Sequence, residues 1–442
     1  MTMTISRRQI LGGAGFLAAA AALNGCAGFS GGGGNGGGGG DGGDGGQNTL
    51  TFTTWGSPAE EEGFRRGIDA FKAANSGVDV QLNLVPYEQI FTNIDAQLQA
   101  GTAPDLFRVD YGTIGAYSSQ DQLLDLSSYV DTAAAEEFLP AMWQAVQYDG
   151  KPYGVPHQTD TSALVYRTDL FEQAGITNVP DSLASAWTWD EFRQVAEQLR
   201  GSIPGDLYPF VYNWQLGGST RWLSWLFQAG GRLFDEDLTG SAIESDAGRK
   251  ALEFTQGFFT DGLVPPSSSV KSSTYADDAF SAGTTAMAFV GNFVLPGLDE
   301  NITDFEWSAT YLPRDERGAC DLGGNALVAT KNARNPELAA EFLKFMTRPD
   351  QMSDFCARAM ELPTLNSLVG TELDYQTRPD IAGIFVEQAT TLEPSDVEQL
   401  TSPAMATINP KLRDELEAAF TQGRPVEETL ANIAAAVDEA AG

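Results

Sequence analysis

Trp55, Tyr87, Glu88, Asp110 and Tyr111 are the side chains with most to offer a ligand, because each follows the end of an expected strand. The first strand runs into Trp55-Gly56-Ser57, the second into Pro86-Tyr87-Glu88 and the third into Asp110-Tyr111. Ligands of open parallel sheets bind beyond the carboxyl ends of the strands, so these residues would gather at one rim. Aromatic faces pack against the C–H patches of a sugar ring, and ionised carboxylates are strong acceptors for its hydroxyls. The set therefore suits a carbohydrate. Each residue also has a plainer use: Trp55 could cap the sheet, Glu88 could be an exposed first-turn acid, and Tyr87 and Tyr111 could simply pack.

The elements that must hold this rim are legible locally. Asn48 to Trp55 alternates and is rich in threonine and phenylalanine, as a strand is. Ser57, Pro58 and Glu60 form a helix-start signature, and Phe64, Ile68 and Phe71 then recur on one helical face. Val78–Val85 reads as a second strand, Phe91, Ile94 and Leu98 as a second helix, and Asp105–Val109 as a third strand. This order is the βαβ pattern of a parallel sheet. Further helices are expected over Trp189–Leu199, Ser245–Phe259, Pro336–Met346 and Val426–Ala440, with one around Leu412, Leu416 and Phe420 that stops at Gly423. A strand is expected over Asn325–Thr330.

Composition narrows the function classes. The 442 residues carry 26 Lys+Arg against 60 Asp+Glu, a net charge of −34. The acids are dispersed, which describes a solvated shell suited to concentrated salt and a halophilic host. Without a basic patch to neutralise phosphates, nucleic acid is excluded as a partner. His157 is the sole histidine, so zinc sites of the usual kind and serine or cysteine triads are not expected unless His157 serves. No cofactor is expected. Of the three cysteines, Cys320 and Cys356 are open to a disulfide or to two buried thiols.

The N-terminus reads as an address. Arg7-Arg8 before an apolar run to Leu23 matches a twin-arginine export signal over residues 1–25, and the run is too short to span a membrane. Leu23-Asn24-Gly25-Cys26 matches a lipoprotein cleavage site, with Cys26 lipidated. Residues 26–47 are then a Gly-rich tether with almost no apolar side chains to bury, spanning roughly 25 Å. The expected location is the outer face of the cell membrane.

An ordered set of segments carries a resemblance over nearly all of residues 48–442. It comprises Leu50–Trp55, Ala103–Leu106, Gly150–Pro156, Leu164–Arg167, Thr188–Phe192, Ala286–Phe289 before Gly291-Asn292-Phe293, Gly323–Asn325, Asn335–Ala339 and Glu361–Thr364. In these the chain resembles the extracellular solute-binding proteins of ABC sugar importers, the maltose-binding-protein-like group. The resemblance implies an α/β, two-lobed periplasmic-binding-protein type II fold with three hinge crossings and a central cleft. The crossings would lie near Pro156–Leu164, Cys320–Asn325 and Leu362–Thr364. Residues 48–157 and 325–361 would form the N-terminal lobe, and 158–324 and 362–442 the C-terminal lobe.

Carried over by residue, the site would comprise Trp55, Ser57, Tyr87, Glu88 and Asp110 from the first lobe. His157, Gln158, Thr159 and Asp160 would stand at the hinge and cleft floor, with Gly324 and Asn325. The second lobe would add Asn213, Trp214, Trp222, Asn292 and Phe293, while Trp143 and Trp225 read as core. Many members present a ligand-stacking tryptophan where Thr407–Pro410 lies, and here Asn409 leaves that subsite in question. The implied partners are a sugar and ABC permease subunits served by a separate ATPase, with the protein a monomer. Two rivals stand beside this reading. The first is a binding protein for glycerol-phosphate diesters or another polar solute, and a phosphate ligand would place Arg108 or Arg221 in the cleft. An anchored glycoside hydrolase would set two of Glu88, Asp110 and Asp160 about 5–9 Å apart.

Overall fold

The computed structural model describes residues 48–130, 132–215 and 218–442. The export signal, the lipidation at Cys26 and the tether lie outside the described residues. Strand β1 (Thr49–Thr54) buries Leu50 and Phe52. Helix α1 (Pro58–Ala74) starts at a capping box in which the Ser57 hydroxyl accepts from the Glu60 amide and the Glu60 carboxylate accepts from the Ser57 amide. That start turns Phe64, Ile68 and Phe71 into the core. Strand β2 (Asp79–Leu84), helix α2 (Tyr87–Ala100), strand β3 (Leu106–Asp110) and helix α3 (Tyr111–Ser119) follow, with β2 and β3 both parallel to β1.

A small hairpin, β4 (Gln147–Tyr148) with β5 (Lys151–Pro152), precedes β6 (Val155–Gln158). The second lobe then contributes β7 (Ser162–Arg167), β8 (Tyr208–Val211), β9 (Thr285–Gly291) and β10 (Trp307–Thr310), before β11 (Asn325–Ala329) returns to the first. The first-lobe sheet has the order β2-β1-β3-β11-β6 and the second β10-β7-β9-β8. In the first sheet β11 runs antiparallel to both β3 and β6, so a strand from late in the sequence locks the centre of the lobe.

The chain changes sheets at Thr159–Thr161, between β6 and β7, and again over 311–324, between β10 and β11. Its third passage is longer than a single point. Leu362 exchanges two 2.9 Å backbone hydrogen bonds with Thr159 at the hinge. Leu365 then packs in the first-lobe core, and the second lobe is joined through helix Pro379–Ala389. Val397, on helix Pro394–Leu400, packs with first-lobe residues as well. Assigning 362–442 wholly to the second lobe is therefore too coarse, because this tail straps both lobes.

Among the described residues, Cys320 and Cys356 are both free. Cys320 packs in the second-lobe core and Cys356, on helix Pro349–Ala359, in the first-lobe core. The disulfide considered from the sequence does not form, since each thiol is buried in a different core.

Candidate functional site

The first-lobe rim is an aromatic corner backed by charge. Trp55, half-buried, meets Tyr87 edge-on with ring centroids 5.2 Å apart and Phe91 at 5.8 Å. The Arg108 guanidinium lies 4.6 Å from the Trp55 ring centroid and donates to the Trp55 carbonyl at 3.2 Å. Tyr87 remains 39% exposed, and its hydroxyl donates to Asp110 Oδ2 at 2.9 Å. Asn325 Nδ2 donates to the other Asp110 oxygen at 2.6 Å. Burial pushes the Asp110 carboxyl up to about 6, against the Tyr87 hydrogen bond and the nearby arginines. Glu88 stays exposed on the first turn of α2. Tyr111 takes its plainer role: it is buried, with its hydroxyl donating to the Gln158 carbonyl at 3.0 Å. Ser57 stands beside the rim with its hydroxyl engaged as the helix cap.

At the hinge, most of the expected ligand groups are fasteners. Gln158 Nε2 donates to Asn325 Oδ1 at 2.8 Å and to Glu361 at 3.2 Å, and its oxygen accepts from the Asn325 amide. Asn292 Oδ1 accepts from the Thr161 amide at 2.8 Å, while its Nδ2 donates to the Met360 carbonyl and Glu361. Gln158, Asn292 and Asn325 are all buried, so these amides join the crossings instead of meeting a ligand. Gly324 is required by backbone: its φ is +94° and a Cβ would sit 2.4 Å from the Thr159 Cα.

Arg108 anchors the cluster. It is 1% exposed, 2.7 Å from Glu60 and 3.9 Å from Glu361, so it does not face a ligand. Burial, with Asp160 and Glu60 nearby, pushes the Glu361 carboxyl well above the usual range. His157 is not on the cleft floor. It lies buried between Phe64 and Phe355, at 5.4 and 4.5 Å, and burial lowers its pKa to about 3, keeping it neutral.

The second lobe corrects the expectation most. Trp214 is buried, stacks on Phe420 at 4.8 Å and donates to the Ser268 carbonyl. Trp222 is buried with its indole N–H donating to Thr255 Oγ1 at 3.0 Å. Both belong to the lobe's aromatic core, as does Trp225. Trp143 is partly buried, stacked on Phe138 at 5.6 Å. Asn213 is buried too, its Nδ2 donating to Ser162 Oγ at 2.8 Å. Phe293 stays half-buried beside Gly291. Asn409, on helix Met405–Gln422, accepts a hydrogen bond from the Ser219 hydroxyl.

What faces the first-lobe rim instead is a cluster around Arg221, which keeps 17% of its side chain exposed and donates to Asp321 at 3.1 Å. Ser162 donates to both Asp321 oxygens, by its amide at 3.1 Å and its hydroxyl at 3.2 Å. Burial raises the pKa of Tyr87, Asp110, Asp160 and Tyr275, and the positive charge of Arg221 offsets part of that rise in each. Asp160, on the first crossing, is 8% exposed, and burial pushes its carboxyl up to about 7. Tyr275 and Asp321 were not anticipated. Asp321 lies within the crossing expected at Cys320–Asn325, whereas no sequence pattern marks Tyr275. Among the described residues no cluster of three or more His, Cys, Asp or Glu could hold a metal ion.

Residues 55–353 match the family model described as bacterial extracellular solute-binding protein. The arabinooligosaccharide-binding protein of Bacillus subtilis is 25% identical over 316 residues, covering 68% of this chain and 69% of the relative. The galactooligosaccharide-binding protein of the same organism is 23% identical over 368 residues, covering 79% and 82%. Among solved structures, a Thermotoga lettingae ABC transporter solute-binding protein bound with α-D-tagatose aligns with a TM-score of 0.76 at 23% identity, over 89% of this chain and 100% of its own. The Listeria monocytogenes ABC substrate-binding protein in complex with cycloalternan also gives 0.76, at 22% identity, over 88% and 98%. With a match running from the end of β1 through both sheets and two interlobe crossings, the chain belongs to the bacterial extracellular solute-binding protein family.

Proposed function

We propose that this protein is the substrate-binding component of an ABC importer that captures a sugar or oligosaccharide between its lobes and delivers it to a membrane permease. The carrying observation is the exposed Tyr87 ring beside Trp55, with Asp110 at the same rim and the Arg221–Asp321 cluster opposite. Relatives named for binding arabino-, galacto- and maltodextrin oligosaccharides support the same ligand class. The stacking group is Trp55 with Tyr87. The acceptors are Asp110 and Asp160, Arg221 is the donor, and Phe293 is a second-lobe wall.

Ligand bridging both lobes would favour the closed arrangement by contacts made only there. No bond-making step is assigned to these residues. The phosphodiester reading is weaker because Arg108 is sealed between carboxylates and Arg221 is already paired with Asp321. Twin-arginine export and a lipid on Cys26 would hold the protein outside the membrane as a tethered monomer, within reach of its permease.

Tryptophan fluorescence of the protein titrated with mono- and oligosaccharides tests the reading. A saturable response to one sugar series, weakened in Trp55→Ala, is the expected result. A folded protein silent to every sugar, by fluorescence and by calorimetry, would overturn it.

A further inference from the structure

Resting on that sugar-binding reading, the unpaired groups of the cleft say something about the charge of the ligand. Three interlobe passages each carry one buried carboxylate: Asp160 on the first, Asp321 on the second and Glu361 on the third. Asp110 and Glu60 join them from the first lobe, and among the described residues Arg108 and Arg221 are the cations paired against these five acids. Arg108 is engaged by Glu60 and Glu361, and Arg221 by Asp321. Asp110 accepts from Tyr87 and Asn325. Asp160 is the one left over: its Oδ1 is buried with no hydrogen-bond partner among the described residues.

A second orphan stands in the same cluster. Asn213 Oδ1, on a fully buried side chain, also has no partner, although its amide nitrogen serves Ser162 and its carbonyl accepts from Arg221 at 3.3 Å. Both unmet groups are acceptors. Arg108 Nε is a buried donor without a partner as well, but Arg108 is engaged by Glu60 and Glu361. It is therefore at Asp160 and Asn213 that donors and positive charge are lacking, and an unmet buried acceptor, above all a charged one, is unfavourable. A metal ion would supply charge, but no described group of side chains is arranged to hold one. A sugar hydroxyl supplies a donor without charge. A protonated amine supplies both, and an acid-bearing sugar would bring further repulsion into an already acidic site.

We propose that the cleft selects sugars by charge, taking an amine-bearing sugar whose ammonium meets Asp160, with neutral sugars bound less tightly and uronic acids excluded. Asp160 is then the specificity-determining residue, and Asn213 Oδ1 accepts a second hydrogen from the same ligand.

Matched sets test this. Calorimetric titrations of the full chain would use glucose, galactose and mannose with their 2-amino and uronic acid forms, as single sugars and short oligomers. In at least one set the amine form should bind about tenfold or more tighter than the neutral parent, with no binding of the acid. Asp160→Asn should narrow the amine-to-neutral ratio. The inference is overturned if neutral and amine forms bind equally, if a uronic acid binds as well as its parent, or if the ratio survives in Asp160→Asn. Silence toward sugars of every charge would instead remove the sugar reading, and this inference with it.

Discussion

Trp55 and Trp222 were both expected at the cleft, one from each lobe, and they meet opposite fates. Trp55 stays half-buried at the end of a parallel strand, its ring against Tyr87, Phe91 and Arg108. Trp222 is fully buried with its indole N–H satisfied by Thr255. The difference lies in how each lobe is made. In the first, β1, β2 and β3 run parallel and deliver their ends to one edge, so a residue just past a strand end is also at the rim. In the second, β7 runs antiparallel to both of its neighbours, and Trp222 lies in a short helical turn packed on helix Asp246–Thr260. There, position along the chain does not predict position at the rim.

Arginine gives the same contrast with the largest expected effect. Arg108 is enclosed by Glu60, Glu361, Trp55 and Phe64, whereas Arg221 has one ion-pair partner and keeps some solvent. Arg108→Met would leave two buried carboxylates uncompensated, a loss of about 3–5 kcal/mol in unfolding free energy. Arg221→Met should cost less stability but disturb sugar binding. Denaturant unfolding of both variants checks the order, and a stable Arg108→Met would show that the hinge cluster does not depend on its cation.

The tryptophans sharpen the comparison next. Trp222→Ala should cost about 3–5 kcal/mol through the cavity it leaves. Trp55→Ala should weaken sugar binding by about 2 kcal/mol, near thirtyfold, with a smaller loss of stability. Paired unfolding and titration curves separate the two. Were Trp222→Ala to retain stability and lose binding, the second-lobe tryptophan would belong to the site after all.

These pairs also show how far the sequence could be read. Helix starts were legible where capping chemistry is local, as at Ser57-Pro58-Glu60 and at Thr188 before helix Trp189–Ser202. The first-lobe rim was legible because strand ends and the parallel order suffice to place it. The hinge fasteners were located but misassigned: Gln158, Asn292 and Asn325 look like sugar-binding amides until Glu361 and the Thr161 amide are seen to occupy them. Tyr275 and the second-lobe tryptophans depend on long-range packing, which residue spacing does not encode. The free thiols follow the same rule, since only the fold reveals that Cys320 and Cys356 lie in different cores.

The smallest effect separates a carboxylate that holds a lobe together from one left for a ligand. Asp105 is buried, which by itself would raise its pKa, yet Arg334 and the Thr51 and Arg334 amides hold it near 2. Its contribution is present above about pH 4 and fades as the pH falls toward 2. Asp160 runs the other way. Its pKa rises on folding from the usual carboxylate range to about 7, so its ionisation opposes the fold. Any stability from its protonated form is complete below about pH 4 and is lost as the pH climbs through 7. In the unliganded protein, Asp160→Asn should therefore raise stability at neutral pH by on the order of 2 kcal/mol, with the gain vanishing near pH 4. Asp105→Asn should lower stability at neutral pH and approach the parent protein toward pH 2. Unfolding curves across that range test both, and an Asp160→Asn protein less stable than its parent at neutral pH would mean the carboxylate serves the hinge and not the ligand.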